Sequence, residues 1–103
     1  MSDIPKRDLS HLTAIITGAA SGFGREIAHA FANSGANVCV QDLNETGAQK
    51  VAEEIKAKGV KAVVVAGDVS KAETWTEIVK AASQIGDITT LVNNAGITYP
   101  NKV

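Results

Sequence analysis

Near the end of the chain, in "LVNNAGITYPNKV" (91–103), a tyrosine and a lysine stand three residues apart, Tyr99 and Lys102. A phenol can exchange a proton with an alcohol oxygen when a nearby ammonium lowers its pKa. Pro100 and Asn101 lie between the two, however, and Pro100 disfavours helix at Tyr99. Tyr99 and Lys102 therefore read as loop residues, and the chain has no other tyrosine. His11 falls in a polar leader. His29 lies between apolar positions of a helix, on the side expected to be exposed, and neither histidine has an evident catalytic partner. No catalytic residue and no metal ligand is assigned.

The other chemistry-bearing stretch is Thr17-Gly18-Ala19-Ala20-Ser21-Gly22-Phe23-Gly24. Its three glycines lie where an apolar strand gives way to a helix. A helix amino terminus offers unpaired N–H groups and partial positive charge, and missing side chains let a pyrophosphate approach the backbone. The spacing is G-x-x-x-G-x-G, and no Gly-Lys-Ser/Thr follows, which excludes a P-loop. A plain tight turn is the weaker alternative, since one glycine suffices for it. Asp42 ends the second strand about twenty residues on. A carboxylate there accepts both adenosine-ribose hydroxyls of NAD and repels the 2′-phosphate of NADP. Its neighbours are Gln41 and Leu43, so no cation stands beside it to favour NADP; a solvated turn aspartate is the alternative. In Gly67-Asp68-Val69, Asp68 offers an acceptor for an adenine amine, or else helix-entry chemistry. Asn93-Asn94-Ala95-Gly96 supplies amides that line a crevice, tie strands together, or both.

These residues need elements to hold them. Residues 1–11 read as a flexible leader, and 12–103 as part of one domain. Short apolar runs at 12–17, 37–41, 61–67 and 88–94 read as buried strands. Between them, 22–35 places Phe23, Ile27, Ala30, Phe31 and Ser34 at helical spacing, with Gly35 as the stop. Residues 44–59 place Ala48, Val51, Ala52 and Ile55 on one face, ending at Gly59. Ser70-Lys71-Ala72-Glu73 has the form of a capping box for a third helix burying Trp75, Ile78, Val79 and Ala82. Strict strand–helix alternation predicts an α/β doubly wound parallel sheet, Rossmann-like, with four strands in the order 3-2-1-4.

Composition excludes other classes. The chain has 103 residues, 45% apolar and 20% charged, with a net charge of −1. There is no basic block for nucleic acid or an anionic membrane, and no apolar run of membrane-spanning length. The leader has no apolar core of a secretory signal. The single cysteine, Cys39, lies in a strand and reads as a buried thiol. A cytoplasmic setting is the default.

Taken together, "TGAASGFG", the acidic end of strand two, "DV" after strand three and "NNAG" after strand four resemble the short-chain dehydrogenase/reductase family, over about Leu12 to Thr98. The resemblance implies an NAD-dependent oxidoreductase acting on a small alcohol or ketone. It implies a pyrophosphate over Gly18, Gly22 and Gly24, with Ser21 and the Phe23 backbone near the phosphates and ribose. Asp42 would hold the adenosine ribose, Asp68 and the Val69 backbone the adenine, and Asn94 would lie near the cofactor ribose. Phe23 stands where isoleucine is more usual. The family's later serine and Tyr-x-x-x-Lys pair have no counterpart here, since Tyr99 to Lys102 is one residue short. The resemblance thus covers a cofactor-binding half, not active alone. A catalytically silent NAD-binding module or a truncated product is the alternative, and a homo-oligomer would belong to the full-length form.

A family sheet of seven strands, represented here by four, would leave strand four with an open apolar edge. The chain alone is therefore expected to be marginally stable. A thermal melt followed by circular dichroism should be broad; a sharp cooperative transition in a soluble monomer would contradict this.

Overall fold

The computed structural model describes residues 8–95. Tyr99 and Lys102 lie outside them. The elements alternate as expected: β1 (Thr13–Thr17), α1 (Gly22–Asn33), β2 (Asn37–Asp42), α2 (Glu45–Lys56), β3 (Ala62–Ala66), α3 (Ala72–Ser83) and β4 (Thr90–Asn93). All strands are parallel, in the order β3-β2-β1-β4. Thr17 pairs with Gln41 on one side and Asn93 on the other. Three strand ends therefore open together at one carboxyl edge.

The two central strands, β1 and β2, are buried on both sides, because helices cover both of their faces. Ala14, Ile16, Val38 and Val40 point to the face that carries α1 and α2, where Ala48, Val51, Ala52 and Ile55 meet them as the spacing predicts. Ile15, Cys39 and Val65 point to the other face, under Ile78 and Ala82 of α3. Burial pushes the Cys39 thiol up to about 12, so it remains an inert thiol at neutral pH.

Two helix faces differ from the periodicity. α1 buries Gly24, Ala28 and Ala32, while Ile27 and Phe31 pack at the margin of the core. Phe23 is 67% exposed, and Ala30 also faces solvent. Small residues four apart let the helix lie close on the sheet, and the larger side chains flank the contact. α3 buries Thr74 together with Ile78 and Ala82. Trp75 is only half-buried, its indole N–H donating to the Val69 carbonyl at 2.7 Å. Val79 is half exposed. The expected capping box does not form: Lys71 is the N-cap, no side chain caps the helix, and the Ser70 N–H instead donates to the Asp68 carboxylate.

His29 also departs from expectation, being half-buried between α1 and α2. Its Nε2 lies 2.8 Å from Glu54 Oε1 and its Nδ1 2.6 Å from Lys58 Nζ. A carboxylate only accepts and an ammonium only donates, so the partners select the Nε2–H tautomer. Arg25 adds a two-pronged contact to the same carboxylate. Hydrogen bonds from Arg25, then from His29, hold the Glu54 carboxyl below its ordinary value.

β4 pairs with β1 alone among the described residues. Leu91, on the α3 face, is 53% exposed, because α3 reaches across β3, β2 and β1 but not β4. At the opposite end of the packing scale, a Cβ on Gly24 would stand 2.0 Å from the backbone oxygen of Gly18. Neither backbone has room to yield. Gly24→Ala should therefore destabilise the fold by about 1–3 kcal/mol in urea titrations; an unchanged midpoint would show that α1 can slide off the turn.

Candidate functional site

The carboxyl edge of β1 sets the site. Gly18 follows β1 with φ of +65°, a conformation that side chains resist, and turns the chain toward α1. A Cβ there would also press on Asn94 Nδ2 at 2.9 Å. Asn94 uses that amide to donate to the Gly18 carbonyl at 3.1 Å, so β4 clamps the glycine turn. The strand-tying role read for Asn94 is thus observed.

Beneath the clamp lies Thr17, fully buried. Its hydroxyl accepts the Ala95 N–H at 3.0 Å and lies 3.1 Å from Asn93 Oδ1, to which it can donate. From the β2 side, Asp42 closes the loop. One carboxylate oxygen accepts the Ala20 N–H at 2.9 Å, and the other accepts the Asn44 N–H at 3.0 Å. Asn44, not Asp42, is the N-cap of α2, accepting from the Gly47 N–H. Each Asp42 oxygen keeps a further lone pair for another donor.

At the start of α1, Ser21 is the N-cap but its side chain makes no capping bond. The first N–H groups of the helix lack intrahelical partners by geometry, so this end offers donors and partial positive charge to an anion. Ser21, Gly22 and Phe23 are exposed there, and Gly24 is buried behind them. Gly22 takes φ of +59° and faces open space.

On the β3 side, Asp68 and Val69 follow the strand end. Asp68 does perform helix-entry chemistry, accepting the Ser70 N–H at 2.9 Å. That N–H, and next the Ser70 hydroxyl, hold the Asp68 carboxyl below its ordinary value. The ionised group faces a cavity of about 170 Å³ lined by Gly18, Gln41, Asp42, Leu43, Gly67, Asp68, Val69 and Ala95.

The fold thus brings Gly18, Asp42, Asp68 and Val69 onto one cavity, with Asn94 behind Gly18 and Ser21 to Phe23 at the adjoining helix end. Ala20, Gln41, Leu43 and Ala95 join them without any motif of their own. Thr17 carried a signal: a hydroxyl inside an apolar strand needs a partner. Larger grooves of about 690 and 580 Å³ run along the β3 edge between α2 and α3. Their lysine, glutamate and glutamine walls belong to ordinary amphipathic helices, whereas the carboxyl edge gathers free backbone donors, a glycine turn and two carboxylates. In an open parallel sheet, ligands bind at that edge where the strand order reverses. Here the reversal lies between β1 and β4.

Comparison with known proteins agrees with this architecture. The family model described as short chain dehydrogenase matches residues 12–103, and the chain belongs to that family. It is 45% identical over 86 residues to a diacetyl reductase [(S)-acetoin forming] of Staphylococcus epidermidis, covering 82% of this chain and 34% of that protein. It is 44% identical over 91 residues to a 3-oxoacyl-[acyl-carrier-protein] reductase of the same species, covering 86% and 37%. The crystal structure of a hydroxysteroid dehydrogenase from Escherichia coli superposes with a TM-score of 0.78 at 38% identity, over 84% of this chain and 37% of that one. The chain spans about a third of the length of these relatives. The family works with nicotinamide cofactors. No helix among the described residues is long and apolar enough to cross a membrane.

Thr17→Val keeps the side-chain shape and deletes the hydroxyl. It removes the acceptor of the Ala95 N–H, at a cost of about 0.5–1.5 kcal/mol, since the exposed Ala95 can turn to water instead. Urea unfolding should show that loss, with faster amide exchange in β4 and unchanged exchange in α2. Equal acceleration in both would contradict a local clamp.

Proposed function

We propose that this chain is the cofactor-binding part of an NAD(H)-dependent oxidoreductase that interconverts a small alcohol and its ketone. One observation carries the choice of NAD. The Asp42 carboxylate is fixed at the end of β2 by the glycine loop itself, and among the described residues no lysine or arginine lines the cavity beside it. A 2′-phosphate brought there would meet fixed negative charge with no cation to offset it.

The residues present fit the dinucleotide. The uncapped α1 terminus, with Gly18, Ser21, Gly22, Phe23 and Gly24 around it, would take the pyrophosphate. Asp42 would accept the adenosine-ribose hydroxyls, and Asp68 with the Val69 N–H would meet the adenine. Asn94 would hold the turn beside the cofactor ribose. The bound nicotinamide would supply the hydride; this chain's residues bind and orient. The sequence holds no Tyr-x-x-x-Lys pair, so the chain on its own is expected to bind without turnover. That supports the same binding residues whether the chain is one half of an enzyme or a silent binding module. The relatives named above act on diacetyl, on a 3-oxoacyl group and on a hydroxysteroid, which have a carbonyl–alcohol pair in common.

Trp75, the only tryptophan, sits against Val69 and makes a convenient reporter. In a titration with NADH, Asp42→Ala should weaken binding about tenfold or more, the scale of a lost charged hydrogen bond. It should also narrow the preference for NADH over NADPH. Unchanged affinity would remove Asp42 from the ribose site.

A further inference from the structure

The outer edge of β3 is open, and its sequence has a symmetry that cofactor binding does not use. Ala62-Val63-Val64-Val65-Ala66 reads the same in both directions. β3 ends the sheet, and β2 is its strand partner among the described residues. The residues flanking it turn their backbone to β2. The Lys61 carbonyl accepts from the Val38 N–H, and the Gly67 N–H donates to the Asp42 carbonyl. Backbone groups alternate sides along a strand, so Ala62, Val64 and Ala66 turn theirs outward. Such an edge is ordinarily blunted by a charge, a proline or a bulge. β3 contains no charge and no proline, and it pairs residue for residue with β2. Val64, at its centre, lines both of the grooves that run along this edge.

We propose that this edge docks a second copy of the chain, β3 pairing antiparallel with β3 about a two-fold axis at Val64. Val64 then faces Val64 of the second copy, and Ala62 faces Ala66 of the second copy. With the axis at Val64 all three outward residues are paired, each facing pair exchanging two hydrogen bonds. The same patch serves both copies, as a closed two-fold contact requires. Val63 and Val65, on the α3 face, meet across the axis as β-branched cross-strand neighbours. The groove walls single out a second copy over an unrelated extended peptide. α2 carries Glu45 in its first turn and Lys56 in its last, both on the grooves. α3 sets Glu77 before Lys80 in the same sense. A polarity that suits each helix dipole also brings the acidic end of one helix beside the basic end of its antiparallel mate. A bare peptide supplies the strand and not these walls.

The 103-residue chain tests this by sedimentation and amide exchange as its concentration is raised. Its mass should rise from 10.7 kDa to twice that and stop. Over the same range the Ala62, Val64 and Ala66 amides should become protected, joining Val63 and Val65, which β2 already protects. In a mixture of isotope-labelled and unlabelled chain, NMR contacts should appear between Val63 of one copy and Val65 of the other. Val64→Pro removes an outward N–H and no bond to β2, so it should fold and stay a monomer. Glu45→Lys should weaken the dimer about tenfold by turning two attractive contacts repulsive, and adding Lys56→Glu should restore it. These charge variants serve if Val64→Pro does not fold. A monomer at every concentration overturns the proposal. So does a dimer whose three outward amides stay unprotected, as pairing through β4 would give, an association that folded Val64→Pro leaves untouched, or a double charge variant that restores nothing.

Discussion

The contact on which the rest depends is between two stretches of backbone. The first turn of α1 lies so close to the turn after β1 that Gly24 has no space for a Cβ against the Gly18 carbonyl. That approach keeps the amino end of the helix directly above the carboxyl edge of the central strand. It also explains why α1 faces the sheet with Gly24, Ala28 and Ala32 rather than with its aromatic residues. A helix seated on larger side chains would stand farther off, and its free N–H groups would leave the edge where the strands converge.

Three neighbours then lock the same turn. Asn94 reaches from β4 to the Gly18 carbonyl, Asp42 from β2 to the Ala20 N–H, and Thr17 from below to the Ala95 N–H. Each is a polar group at a strand end, where the ladder runs out and a side chain is needed to satisfy the backbone. Preorganisation and recognition therefore share residues. Asp42 spends one hydrogen-bond position on each oxygen holding its own loops and keeps the others outward. The polar cluster of Arg25, Glu54, His29 and Lys58 ties α1 to α2 on the solvent side and leaves the edge open.

Much of this was legible in the sequence. The order 3-2-1-4 followed from strand–helix alternation and the glycine turn, and the face of α2 from its periodicity. The α1 face was misjudged because aromatic residues outweigh alanines in any hydrophobic pattern, while close packing here selects the small ones. The capping box at Ser70 was a motif without its geometry: Asp68 took the Ser70 N–H, and the helix began one residue late. Gln41 was invisible because a glutamine beside an aspartate looks like a solvated strand end. Its burial, and the pairing of its amide with Gly67, depend on β3 lying alongside β2. His29 was placed outward because its partners come from elsewhere in the chain, Glu54 from α2 and Lys58 from the turn that follows it.

The central claim is that the carboxyl edge, and not the larger grooves along β3, receives a nicotinamide dinucleotide. A backbone amide map by proton–nitrogen NMR, recorded as NADH is added, tests it most directly. Shifts should concentrate at Gly18 to Gly24, Asp42, Asp68, Val69 and Asn94, with Thr46, Gln49 and Gln84 unmoved. Shifts confined to α2, β3 and α3 along the grooves, or no shifts at saturating NADH, would contradict the account.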